Sequence, residues 1–200
     1  MKTLIVHPKD HSTTFLDIVY KDIPDQTLIT GGITKTELKE LIKSHDRVMM
    51  MGHGSPHGLF AVGQFKSEGF NFGGSGYIID REMVPLLAEK EHNVYIWCWA
   101  STFVENNDLK GFSSGMFISE VGEAMYCAKD PSNDEMLKIK LSTATQEEVD
   151  NSNYGFVDIV NKYINEQSNV IYDNVMKEYG LIAEENAVAT YNHNRIRLFL

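Results

Sequence analysis

The chain has 200 residues, 42% of them hydrophobic and 23% charged, and 28 acidic against 18 basic side chains give a net charge of −10. That length is one domain with material for a sizeable core, and that balance argues against nucleic acid as a partner, because phosphate recognition needs clustered positive charge. No window approaches the ~18 consecutive apolar residues of a membrane span, and residues 1–8 hold one basic residue and too short an apolar run for a secretory signal, so a cytoplasmic chain with no membrane partner is expected.

Three short apolar runs, 3–7, 47–52 and 93–100, read as buried strands, each close to a Gly, Pro or polar cluster. Runs of this kind belong to parallel sheets covered on both faces. After the first, Ser12 or Thr13 caps a helix to about Lys21. Thr34 heads the next, with Glu37 completing a capping box before Leu38, Leu41 and Ile42. Beyond the second strand, 58–62 and 76–79 form a small hairpin with a Gly-rich tip over 67–75. Asp80 caps a helix with Met83, Leu86 and Leu87 on its apolar stripe and Pro85 in its first turns, where proline is tolerated. Residues 114–119 read as a further short strand and 120–129 as a helix, followed by helices near 146–166 and 169–179 and an edge strand over 195–200. The alternation predicts an α/β fold, a three-layer α/β/α sandwich with a mainly parallel central sheet.

Open α/β sheets bind ligands at the carboxyl ends of their strands. His7-Pro8-Lys9-Asp10-His11 follows the first strand, Gly52-His53-Gly54-Ser55-Pro56-His57 the second, and Cys98-Trp99-Ala100-Ser101 ends the third. A histidine and a cysteine thus leave the same sheet edge, on strands that stand about 4.8 Å apart when adjacent. A thiol is a strong nucleophile only as its thiolate, and a nearby imidazole can take its proton and later deliver it to a leaving amine. Gly54 lets a substrate approach the backbone, and the N–H groups of Gly54 and Cys98 would hold a developing oxyanion. Alone, each is more often an inert thiol or a structural histidine; the joint spacing points to a catalytic pair. Cys127, in a helical stretch, reads as structural. No disulfide framework and no four-ligand zinc pattern involves the two cysteines.

These residues resemble the caspase-like cysteine peptidases, the clan of caspases, metacaspases, gingipains, clostripain, separase and CHAT domains. Val48-Met49-Met50-Met51-Gly52-His53-Gly54 is similar to the clan's His-Gly block, and Val94-Tyr95-Ile96-Trp97-Cys98-Trp99-Ala100-Ser101 to its Cys block. Their interval is close to the caspase spacing of about 50 residues. The resemblance covers the first two thirds of the chain by element order and two short motifs by sequence. It implies a caspase-like fold and a cofactor-free thiol endopeptidase with a His53/Cys98 dyad and a polypeptide substrate. The histidine would be oriented by a backbone carbonyl near the end of the first strand. The pattern departs where Trp97 and Trp99 flank the cysteine with no glycine after it, and where the nearest candidate for a cleavable loop is only 102–111.

Relatives that cut after Arg or Lys place an acid just past the first core strand, and Asp10 stands in that stretch. Cleavage after a basic residue follows if Asp10 floors the pocket; alternatively Asp10 simply caps the next helix. Glu120 and Glu123 are second candidates for an acidic wall. Some clan members are switched on by calcium, self-cleavage or dimerisation; no EF-hand pattern is present, and a homodimer stays open. Two competing readings remain. One is a metal-dependent hydrolase, since the pairs His7/His11 and His53/His57 have zinc-like spacing, but the glycines and Pro56 around the second forbid a helix, and no HExxH occurs. A non-catalytic binding or regulatory module, with Phe70 and Phe72 in an interaction loop over 65–72, is the other.

Overall fold

The computed structural model describes residues 1–62 and 76–200. The chain enters through β1 (Thr3–Val6), turns at Asp10 into a 3-10 helix over His11–Leu16 that runs on as α1 (Asp17–Tyr20), and returns through β2 (Gln26–Ile29), α2 (Lys35–Lys43) and β3 (Arg47–Met51). A small antiparallel sheet follows, made of β4 (Gly54–Ser55), β5 (Gly58–Ala61) and β6 (Gly76–Ile79). A 3-10 turn capped by Asp80 leads into α3 (Val84–Leu87), and β7 (Val94–Ile96), α4 (Ala100–Asn106) and β8 (Gly111–Ser113) complete the second crossover. Then come α5 (Val121–Cys127), α6 (Glu135–Ser142), α7 (Gln146–Tyr163), α8 (Ser168–Ala183), α9 (Ala187–His193) and β9 (Arg197–Phe199).

The main sheet has the order β2-β1-β3-β7-β8-β9, with every pair parallel except β8 with β9. Period-two alternation splits its side chains between two cores. Ile5, Met49, Met51, Val94 and Ile96 pack with Val19, Phe156, Val160 and Val175 of α1, α7 and α8. Leu4, Val6, Val48, Met50, Tyr95 and Trp97 pack on the opposite face with Leu38, Ile42, Leu87 and Phe103 of α2, α3 and α4. The fold is therefore α/β with a mainly parallel six-stranded sheet buried on both faces, an arrangement compatible with a three-layer sandwich. Among the described residues no helix is long and apolar enough to cross a membrane.

Several local expectations are corrected. Asp10, not Ser12 or Thr13, caps the first helix, because its carboxylate accepts from the Ser12 N–H at 3.0 Å. Residues 102–111 are mostly α4 and its closing turn, not a cleavable loop. The strand expected over 114–119 lies earlier, over Gly111–Ser113, since those residues pair with β7 and β9. From Gly115 onward the backbone bonds leave the ladder for the Arg195 carbonyl and the Asn192 side chain. The hairpin tip, with the Phe70 and Phe72 loop, lies outside the described residues.

Candidate active site

The sheet order reverses between β1 and β3, since the chain runs outward from β1 to β2 on one side and from β3 to β7 on the other. A crevice opens at the carboxyl ends of strands at such a point, and three loops meet there. The β1 loop carries Asp10 and Ser12, the β3 loop carries His53, and the turn after β7 carries Cys98.

Local geometry explains how each is held. The Gly52 N–H continues the ladder to the Ile96 carbonyl at 3.0 Å. Its φ of 137°, open to glycine but not to L side chains, then swings the chain out of β3. Gly54 is required for space: a Cβ there would stand 2.1 Å from Cδ1 of Trp97 and 2.6 Å from the Gly58 carbonyl. So the neighbour that approaches the Gly54 backbone is the Trp97 indole, whose Nε1 donates to the Ser55 carbonyl at 3.1 Å. Trp97 ties the histidine loop to the cysteine strand. The Phe60 N–H donates to the His53 carbonyl at 2.8 Å, which by antiparallel alternation turns the Gly54 N–H away from β5. The Cys98 N–H donates to no protein acceptor among the described residues. Both amides are thus free to donate elsewhere.

The imidazole of His53 meets Ser12 Oγ at 2.8 Å and Asp10 Oδ2 at 3.0 Å, both through Nε2. Nδ1 makes no hydrogen bond among the described residues. Asp10 Oδ1 accepts from the Ser12 N–H and from Ser12 Oγ, each at 3.0 Å. Burial works to raise the Asp10 carboxyl, but the Ser12 hydrogen bonds and the charge of His53 outweigh it and hold Asp10 below the usual carboxylate range. With both oxygens engaged, Asp10 stands as the histidine's partner.

Cys98 is half-buried, and its thiol donates to the Phe117 carbonyl across 3.5 Å. Burial first, then the nearby Glu123 carboxylate, pushes this thiol up to about 12. Glu123 is turned inward, accepting from the N–H and hydroxyl of Ser119 at 2.7 and 2.9 Å. Glu120 is exposed at the start of α5 and takes no part. His53 and Cys98 line one small cavity of about 20 Å³, bounded by Thr13, Phe15 and Leu16 on one side and Phe117 and Ser119 on the other. That is room for one water. No hydrogen bond joins the two residues in this state.

The roof of the cavity is braced from far along the chain. Asn192 of α9 accepts from the Ile118 N–H at 2.7 Å and donates to the Ile118 carbonyl at 3.0 Å. Beside the site, fully buried His7 sets Nδ1 3.0 Å from Tyr20 Oη and 3.3 Å from Asp17, while its Nε2 has no partner among the described residues. Burial draws His7 down to about 4, against the opposing pull of Asp17. His57 lines a separate polar hollow with Tyr77 and Asp80, and no group of three metal-ligating side chains occurs among the described residues.

Sequence reasoning offered Asp10 as a helix cap, which the structure shows, but missed the bonds of Asp10 and Ser12 to His53 and the Phe117 and Asn192 contacts. Asp10-x-Ser12 at the end of the first strand was the available signal, since an Asx cap there sits in the crevice itself. Comparison of the chain with family models, with curated proteins and with solved structures returns no match in any of the three.

Proposed function

We propose that the chain is a cysteine endopeptidase of caspase-like type, acting through a His53/Cys98 dyad. The observation that carries this reading is the delivery of His53 and Cys98, from adjacent parallel strands β3 and β7, into one cavity at the carboxyl edge of the sheet. In the reaction His53 takes the thiol proton of Cys98 as the sulfur attacks a peptide carbonyl. The Gly54 and Cys98 N–H groups receive the oxyanion. His53 returns the proton to the amine as the C–N bond breaks, and water then cleaves the thioester. Asp10 and Ser12 hold Nε2 of the imidazole through these steps, in place of a backbone carbonyl.

A second reading, a latent or non-catalytic module on the same fold, is favoured by the high thiol value and by a cavity of only about 20 Å³. Intact-mass analysis after incubation with a panel of peptidyl chloromethyl ketones separates the two. One adduct, lost in Cys98→Ala and strongly slowed in His53→Ala, is expected. Labelling that is unchanged in His53→Ala would refute the dyad, and no adduct from any reagent would leave the binding-module reading.

A further inference from the structure

The two tryptophans beside Cys98 go opposite ways. Trp97 is buried at 2% exposure against the small sheet, whereas Trp99 is 42% exposed. Trp99 adopts φ 70°, a left-handed conformation that an aromatic residue rarely takes. It is locked there by its N–H on the Gly115 carbonyl at 3.0 Å and by its own carbonyl, which accepts from Thr102 and Phe103 at the head of α4. Backbone strain of this kind is held in place by its surroundings and gathers at binding sites. Here it turns the indole outward, onto the wall of a hollow of about 320 Å³ that Met116, Tyr126, Cys127 and Tyr191 also line.

The hollow stands beside the candidate nucleophile in the chain, since Trp99 follows Cys98, and it shares no lining residue with the cavity that Cys98 lines. Met116, Cys127 and Tyr191 belong to the buried cluster against which the Cys98 side chain packs. Its electrostatics favour an apolar side chain over a basic one. The lining carboxylate, Asp130, is already bound to Arg195 Nη2 at 2.9 Å, and the Arg195 guanidinium lies 3.5 Å over the Tyr191 ring. Lys129 stands at the rim. A basic side chain would meet like charge and a carboxylate that is already paired, while an apolar one would meet two or three aromatic faces and a methionine.

We infer that this hollow is a specificity subsite, with Trp99 as its determinant, for an apolar or aromatic side chain of the polypeptide close to the scissile bond. The inference rests on the peptidase reading. The test measures the rate of Cys98 labelling in the full chain by peptidyl chloromethyl ketones that carry Phe, Leu, Arg or Asp at each of the two residues nearest the reactive carbon. Phe or Leu at one of these positions is expected to label at least tenfold faster than Arg or Asp. Trp99→Gly, whose backbone accepts φ 70°, and the surface change Tyr126→Ala are each expected to shrink that ratio several-fold. Labelling that proceeds without side-chain preference, or a ratio unmoved in both variants, overturns the subsite while leaving the peptidase. Labelling by no reagent at all removes the peptidase and the subsite together. A concentration-dependent dimer in sedimentation that Tyr126→Ala dissolves would assign the aromatic patch to a second copy of the chain and overturn the subsite.

Discussion

Asp10 does two things with one carboxylate: it caps the first helix through Ser12 and holds Nε2 of His53. The two are separable because asparagine caps a helix about as well as aspartate. In Asp10→Asn the thermal stability is expected to stay within a few tenths of a kcal/mol, while Cys98 labelling by a peptidyl reagent slows at least tenfold, a part of the roughly 10²–10⁴-fold that a positioned base contributes. An unchanged rate would leave Asp10 as a cap alone. His7 makes a different prediction. Its folded value near 4 lies below the ordinary 6.5, so between these the unfolded chain holds a proton that the folded chain lacks. Stability therefore falls as pH drops from 6.5 to 4, by up to about 3 kcal/mol. Urea midpoints at pH 7 and pH 4.5 check this, and His7→Leu, weaker at neutral pH, is expected to show the flatter dependence.

Among the elements, β3 and α7 are joined by a buried cation. Arg47 is 1% exposed and donates to the Ile164 carbonyl at 2.6 Å and to Thr3 Oγ1 at 3.3 Å. Burial lowers it to about 10, so it stays charged at neutral pH, facing the carbonyl end of α7 where a positive charge is favoured. Arg47→Ala opens a cavity and strips these acceptors, and is expected to cost about 2–4 kcal/mol, read from urea melts, with Arg47→Met costing less. The strands nearest the site were legible for a related reason: β1, β3 and β7 are buried on both faces and show as unbroken apolar runs. β2 was not, because it is an edge strand with only half-covered residues. β8 was misplaced by a few residues, since Gly111–Ser113 and the irregular 114–119 are equally buried and only the ladder to β7 distinguishes them. In the site, His53 and Cys98 could be read from strand ends, whereas the bonds of the Asp10 carboxylate to His53 and of the Phe117 backbone carbonyl to the Cys98 thiol depend on loops that only the assembled sheet brings together.

Taken as a whole, the fold buries the Cys98 thiol beside the Glu123 carboxylate, and both work against its ionisation. With Cys98 pushed up to about 12, almost none is thiolate near neutrality. Iodoacetamide labelling of Cys98, followed by peptide mass mapping, is expected to rise about tenfold per pH unit from 7 to 10. A plateau near pH 8.5 would show an unperturbed thiol instead. The clasp that keeps Phe117 in place has a consequence in time as well as in space. Ile118 is gripped by Asn192, 74 residues further along, and a contact so distant in sequence must meet its loop-closure entropy before it forms. A nascent chain therefore lacks the brace on the Phe117 loop until α9 has left the ribosome.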